Sequence, residues 1–550
     1  MRILHFARIR VKLFIAVIVI FILNLTVLYF FDFSSLNISD SLSSIVRSEH
    51  NKNLIVQQKI INELNDSKDQ YGIYSDLFKL LIESKPQFQS LKNYNEENPD
   101  VKRFLQDNVK FNKKFLSSLV PLNNNQKLQL FESLDHYQIG LNNLNLSIFG
   151  NEDSKIINSK GIVMVGGGKF SWLALLSIHQ LRQIGSKLPV EVFIPTIQDY
   201  DYNFCETMLQ YVNAKCVLGY KELPLRYVQP FFKLKNYEYK LLAMLASEFE
   251  NILLLDVDNI LIKNPDELFN WDIYQKYQLI LWPDTWIRTT NPFMFDLFHI
   301  NVDYSSINDV ENDNYDIHDL PGSFPNPSTE SGMLLVNKKI HADTLLLALY
   351  INIYGANYYY PLISQGSAGE GDKDTYILAA YSLDKPVYQV RQSLSFIGYF
   401  NEEGFQSTGM AQCNPMIGNE YYGDRVNLRN LQCDDFMFLH LSNPKYFPIE
   451  VLKDSFDERN NHIVLLKTLN ADYDVELQIW EIMSQLLCVN YTPNDLEPNN
   501  IASSHIHQNM IASAKKLQYI NKLNIDQACN SKILPHLQFL REYFKNNRKN

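Results

Sequence analysis

Between residues 161 and 194 the chain runs through a strand, a glycine loop, a helix and a second strand in close succession, and that order leaves few folds open. GIVMV (161–165) is an apolar run of strand length, followed at once by Gly166-Gly167-Gly168-Lys169. Residues 171–184 read as a helix that ends at Gly185, and LPVEVFI (188–194) is apolar again. A strand, a crossover helix and a second strand form a βαβ unit, whose strands pair in parallel through a right-handed connection. The expected class is therefore α/β with a mostly parallel sheet. Further strands are expected at 252–255, 278–282, 333–336, 387–390 and 436–441, and helices at 237–249, 340–354 and 373–383. This head spans 156–450. Residues 451–550 read as a helical C-terminal region, and the polar, Asn-, Ser- and Lys-rich stretch 32–155 as a stem holding the head away from its anchor.

The anchor is the one long apolar run. Residues 13–31 carry no charge over 19 positions, roughly 28 Å as a helix, about one hydrocarbon core. The flank FFDF (30–33) is a poor cleavage site, and Arg2, Arg8, Arg10 and Lys12 precede the run with no acid among them. By the positive-inside rule residues 1–12 are a cytoplasmic tail, 13–31 a signal anchor, and everything after it lumenal. Sequons at Asn37, Asn65, Asn145 and Asn490 agree with that side. So does an even set of six cysteines, for which Cys205/Cys216 and Cys413/Cys433 are the natural short-range pairs.

Charge narrows the partners. The chain carries −11, and without the four cations of the first twelve residues the other 538 stand at −15. Such a chain repels phosphate backbones, so no nucleic acid is expected, and an anionic small molecule needs a local cation.

Two loops are placed to supply one. Gly166-Gly167-Gly168-Lys169 fails the phosphate-loop pattern, with Val163 where Gly is required and Phe170 where Ser or Thr is required. Its backbone N–H groups and Lys169 nonetheless suit an anion, and a plain tight turn suits the residues equally. The stronger signal is NILLLDVDN (251–259), where Asp256 and Asp258 stand at the carboxyl end of a buried strand. That is where α/β sheets place their ligands. Two hard oxygen ligands suit Mn²⁺ or Mg²⁺ held against a diphosphate; the competing reading is a solvated turn. Downstream, YYYPLISQGSAGEGDKD (358–374) offers Glu370, Asp372 and Asp374 on a glycine-rich loop opening a helix, behind three tyrosines that could face pyranose rings or fill the core. His440, at a strand end, is a chemically sensible third metal ligand or a structural histidine.

The run ESGMLLVNKKIHADTLLLALYINIYGANYYYPLISQGSAGEGDKDTY (330–376), with LLLDVDNILIKNP (253–265), LWPDTW (281–286) and GIVMVGGGKF (161–170), resembles the fungal Golgi mannosyltransferases of glycosyltransferase family 71, and the α-1,2 branch most. The resemblance covers about 156–450. It implies a type II Golgi membrane protein with a GT-A fold, GDP-mannose as donor, Mn²⁺ as cofactor and the α-1,6-mannan backbone of N-linked glycans as acceptor. Asp256 and Asp258 then take the metal–diphosphate role, and Glu330, Asp372 and Asp374 are the acids of the family motif. Donor and product are both α, so the resemblance implies retention, with a front-face displacement as the economical route. The alternatives are the α-1,3 branch of the same family, a two-carboxylate glycoside hydrolase, and a non-catalytic membrane-anchored glycan-binding protein.

Overall fold

A computed structural model describes residues 56–91, 98–149, 159–417, 433–489, 509 and 511–547. The expected cytoplasmic tail and the anchor at 13–31 lie outside the described residues, as do Asn37 and Asn490. Among the described residues no helix is long and apolar enough to cross a membrane. The chain divides into Met1–Asn62, described only over the helical residues 56–62, and one compact unit, Glu63–Asn550.

The strands of the larger unit are β1 (Lys160–Val165), β2 (Val190–Ile194), β3 (Ala214–Leu218), β4 (Asn251–Leu255), β5 (Asn259–Leu261), β6 (Leu279–Pro283), β7 (Thr329–Asn337), β8 (Tyr388–Gln389), β9 (Ser395–Asn401), β10 (Gly404–Cys413) and β11 (Phe436–His440). Seven form a sheet in the order β3-β2-β1-β4-β7-β6-β8, and four form a second sheet, β5-β11-β10-β9. In the larger sheet every pairing is parallel except those of β7, which runs against both β4 and β6. The mostly parallel expectation thus holds with one reversal. That reversal puts the first residues of β7 at the edge where β1, β4 and β6 end.

The expected strands all form, and the central ones are apolar runs buried on both faces: β2, β4 and β6 are buried at every position, whereas the edge strand β8 is only two residues long. The helix Phe170–Gln183 covers the sheet, with Trp172, Leu176 and Ile178 fully or almost fully buried. The C-terminal helices pack on it in turn. Gln180 donates to Gln478 Oε1 at 2.8 Å, Trp172 Nε1 donates to the Tyr446 carbonyl at 2.9 Å, and Trp480 is fully buried. Three disulfides close: Cys205–Cys216 and Cys413–Cys433, as the spacing predicts, and Cys488–Cys529.

The stem expected over 32–155 needs correction across its described part. Residues 63–91 and 98–149 belong to the same compact unit as the sheets. Leu130, Leu134, Tyr137 and Leu141 recur at helical spacing and are buried, and the Tyr137 hydroxyl donates to the Leu346 carbonyl at 2.7 Å. Tyr350 donates to the Ser84 carbonyl at 3.1 Å, and Asn291 Nδ2 to that of Val120 at 3.1 Å. A stripe of four residues is easily lost in a polar segment, which is why composition alone reads it as spacer.

Candidate active site

The chain leaves the seven-stranded sheet and enters the four-stranded one within three residues, and those residues are Asp256-Val257-Asp258. Asp256 still belongs to the first sheet, its N–H donating to the Gly332 carbonyl on β7 at 2.8 Å. Asp258 already belongs to the second, its carbonyl accepting the Leu441 N–H at 3.0 Å. The turn between them, closed by Asn259 N–H to the Asp256 carbonyl at 2.9 Å, places both carboxylates at the junction.

Strand reversal brings the other acids to the same place. Glu330, second residue of β7, pairs in register with Trp282 near the end of β6. Its Oε1 accepts the Gly332 N–H at 2.7 Å and its Oε2 lies 3.8 Å from His440 Nδ1. His440 ends β11 in register with Asn259, and its Nε2 stands 3.7 Å from Asp258 Oδ2. Burial alone would make this imidazole less basic, but Asp258 and Glu330 outweigh it and hold it protonated. In return, burial pushes the Glu330 carboxyl up while His440 and the Gly332 N–H pull it down further, to about 2. Asp258 behaves likewise, held well below the carboxylate range against burial by His440 and Lys445.

Lys240, unremarked in the sequence, ties the cluster together from the helix Asn236–Ala246. Its Nζ lies 2.8 Å from Asp256 Oδ2 and 3.6 Å from Asp372 Oδ2, and donates to the Ser331 carbonyl at 3.1 Å. Burial opposes its charge; Asp256, Asp372 and Glu330 more than restore it. Asp372 also accepts from Ser331 Oγ at 2.8 Å and from the Tyr376 hydroxyl at 3.3 Å. Lys445, on the loop after β11, pairs with Asp258. The only hint of either lysine was positional: a lone cation in the apolar run KLLAMLA, and one five residues past His440.

Asp374 is not part of this cluster. Its Oδ1 takes Arg288 Nη1 at 2.6 Å together with the N–H and hydroxyl of Thr329, at 2.8 and 2.9 Å. Arg288 is itself fully buried and also donates to the Pro325 and Pro327 carbonyls. Beside it Lys373 pairs with Asp284 at 2.8 Å. Gly369, at φ +74°, leaves room for that pair, since a Cβ there would lie 2.7 Å from Lys373 Nζ. Asp374 anchors the glycine-rich loop that carries Asp372, as an acid held by a buried guanidinium does.

Two expected features sit elsewhere. The loop Gly166-Gly167-Gly168 packs on Asp199: Gly168 N–H donates to its carbonyl at 2.9 Å, and a Cβ at Gly167, φ +99°, would meet the Asp199 Cβ at 2.8 Å. Lys169 is exposed and lies over the rings of Phe170 and Phe447 at 5.3 and 5.0 Å. By strand order the loop is next to Asp256, but its contacts are those of a tight turn. The tyrosines at 358–360 are core residues. All three are buried, and their hydroxyls donate to the Phe88 carbonyl, Tyr350 and Asn352 at 2.9, 3.1 and 2.5 Å. They present no face to a sugar.

Asp256, Asp258 and His440 suit a hard divalent cation by donor chemistry: two carboxylates and an imidazole on adjoining strand ends. Buried polar atoms here also lack a hydrogen-bond partner in the protein, namely His440 Nδ1 and both amide atoms of Asn259, which is fully buried beside Gly332. Among the described residues no three such side chains close to ligating distance, and Lys240 and Lys445 are paired with the two aspartates.

The mannosyltransferase family Mannosyl_trans3 matches residues 159–414, the span of the two sheets up to β10. The chain is 38% identical to the α-1,2-mannosyltransferase MNN2 of Candida albicans over 418 residues, covering 70% of this chain and 68% of that one. The chain belongs to the fungal α-1,2-mannosyltransferase family. Two more members, MNN21 of Candida albicans and MNN2 of Saccharomyces cerevisiae, are each 34% identical, over 76% and 77% of this chain and 71% and 80% of their own lengths. The mannosyltransferase match begins at β1, so the family's shared part includes the Asp256–Asp258 junction, Glu330 and Asp372.

Proposed function

We propose that this chain transfers mannose from GDP-mannose, with retention and in α-1,2 linkage, to the α-1,6-mannan backbone of N-linked glycans. We read its larger unit as a GT-A-type nucleotide-sugar-binding head, with residues 13–31 as a single-pass type II anchor in the Golgi membrane. What carries the reading is the junction itself: Asp256 and Asp258 leave a buried strand where Glu330, Asp372 and His440 arrive from three other segments, in a chain of this family.

Asp256, Asp258 and His440 would hold Mn²⁺, which when bound supplies Lewis-acid charge against a departing diphosphate. The chain's own groups do the rest. Lys240 and Lys445 keep the crowded carboxylates close together, and Lys445, the more exposed of the two, adds positive charge at the rim for an anionic donor. Glu330 is ionised at neutral pH, so it does not donate a proton; it faces the positive charge that develops on the sugar as the bond to the diphosphate breaks. In a front-face displacement the acceptor oxygen bonds to the anomeric carbon on the side the diphosphate leaves. The acceptor's proton passes to the departing diphosphate, so no protein nucleophile is required.

The test is incubation of the purified chain with a panel of nucleotide sugars, Mn²⁺ or EDTA, and an α-1,6-mannooligosaccharide. The expected product forms from GDP-mannose with Mn²⁺ only and is trimmed by an α-1,2-specific mannosidase. Hydrolysis of the oligosaccharide without a donor, or transfer of another sugar, overturns the reading.

A further inference from the structure

Among the described residues five phenylalanines are exposed, and four of them, Phe104, Phe396, Phe400 and Phe405, belong to one neighbourhood. Its inner end is in register with the active site. In the four-stranded sheet Phe396 on β9 pairs with Met410 on β10, and Met410 pairs with His440 on β11. Residues in one cross-strand row project to the same face. Two strand spacings put Phe396 about 10 Å from His440 on that face.

The wall of the site continues the patch. Residues 103–105 lie antiparallel to 285–287, with Leu105 N–H donating to the Thr285 carbonyl and Ile287 N–H to that of Arg103, both at 2.9 Å. Phe104 thereby stacks on Trp286 with ring centres 4.3 Å apart, and its ring meets that of Phe396 edge-on at 6.2 Å. The Trp286 carbonyl accepts the Ser328 N–H at 2.9 Å, two residues before Glu330. Outward along β9 the same face carries Phe396, Gly398 and Phe400, and Phe400 contacts Phe405 at 5.3 Å. A side chain at Gly398 is excluded, since its Cβ would lie 1.9 Å from the Gln406 carbonyl oxygen. The two ring stations, Phe396 and Phe400, therefore stand about 13 Å apart along the strand with no side chain between them on that face.

We propose that this strip, from Phe104 and Phe396 out to Phe400 and Phe405, binds the saccharide chain of the acceptor beyond the mannose that reacts. This rests on the proposed function and extends it to acceptor length. Pyranose rings present apolar C–H faces that stack on aromatic rings, and exposed apolar patches of this kind mark binding sites. A strip that begins two strands from His440 and runs away from it suits a polymer threaded past the site. A membrane is the rival occupant. The hairpin tip works against it: the turn joining β9 and β10 carries exposed Glu402 and Glu403, which an anionic lipid surface repels.

Phe396→Ala and Phe400→Ala separate the possibilities. With a long α-1,6-mannooligosaccharide each variant is expected to raise the acceptor KM about three- to tenfold. KM for methyl α-mannoside, KM for GDP-mannose, kcat and the melting temperature stay at wild-type values. Unchanged KM for the long acceptor, or equal loss on both acceptors, overturns the strip. Loss of sedimentation with phosphatidylcholine–phosphatidylserine vesicles while the long-acceptor KM stays put assigns the rings to a membrane and also overturns it. If the wild-type chain transfers no mannose at all, the proposed function fails, and calorimetric titration of the oligosaccharide into wild type and Phe400→Ala still reads the strip directly.

Discussion

Lys240 Nζ stands between two carboxylates, 2.8 Å from Asp256 and 3.6 Å from Asp372, in a pocket that is otherwise crowded with negative charge. Removing one partner of a buried ion pair typically costs about 3–5 kcal/mol, because the other is left buried and uncompensated. Asp256 is partly open to solvent, which moderates that figure. Lys240→Met is expected to lower stability by about 2–3 kcal/mol and to lose transfer. Excess Mn²⁺ should raise its melting temperature more than that of wild type, since a cation can replace the missing charge. Equal shifts in the two proteins would remove Lys240 from any role as counter-charge to the cation site.

Asp258 tests the cation site without that complication. Its side chain meets only Lys445 and His440 among the groups described above, and Lys445 is free to turn to solvent. Asp258→Ala should therefore stay folded, with an unchanged circular dichroism spectrum, and lose transfer from GDP-mannose at least a hundredfold, about 2.7 kcal/mol of transition-state stabilisation. Wild-type turnover by this variant would refute the metal assignment.

Asp372 and Asp374, two residues apart, are expected to fail in opposite ways. Asp374 serves the fully buried Arg288, so Asp374→Asn should cost about 3 kcal/mol or more in denaturant unfolding, with activity lost only in proportion to the folded fraction. Asp372→Asn keeps hydrogen bonds to Ser331 and Tyr376 and should remain folded while kcat falls. Melting curves and kcat measured on both variants check the pair. The reverse pattern would make Asp374 the catalytic acid.

Which of these groups the sequence reveals follows from how far each depends on distant chain. Asp256 and Asp258 are legible because a strand end is a local feature and α/β sheets bind ligands there. His440 could be named but not placed, since 181 residues of intervening fold carry it to Asp258. Lys240 was invisible, a single lysine on a helix whose other face is apolar being ordinary. The hairpin β9–β10 also escaped notice. Gly398 and Gly409 break the alternation that marks a strand, and both are glycine because neighbouring backbone carbonyls lie within 2.5 Å of where a Cβ would be. The tyrosines at 358–360 misled for the opposite reason. Polar hydroxyls in a glycine-rich context look like a surface, yet each hydroxyl finds an internal acceptor.

The C-terminal helices should depend on their disulfide. Cys488–Cys529 closes a span of 41 residues, part of it outside the described chain, and loop closure of that size is worth about 4 kcal/mol by chain entropy. Cys488→Ala with Cys529→Ala is expected to lower the melting temperature and to free the Leu534–Asn547 helix for proteolysis before the sheets unfold. Unaltered protease resistance would show that packing of Trp480 and Leu537 holds the region alone.

His318 gives the fold a defined response to acid. It is buried, its Nδ1 lies 3.0 Å from the Phe324 carbonyl, and burial together with the Arg288 charge lowers its pKa from the usual 6.5 to about 3. The folded protein thus keeps this ring neutral where the unfolded chain takes up a proton. Its contribution to stability is complete above pH 6.5 and is lost as pH falls from 6.5 toward 3. Glu476 works in the other direction: burial lifts its carboxyl to about 7 in spite of the Leu465 and Leu466 N–H donors, so its part of the stability grows as pH falls from 7 to 4.5. Urea unfolding of wild type and His318→Gln at pH 7.5, 6, 5 and 4 separates the two effects. The gap between the proteins should narrow steadily below pH 6.5 as the wild type loses what the variant never had. Parallel curves across that window would mean that His318 takes up its proton in the fold as readily as in the unfolded chain.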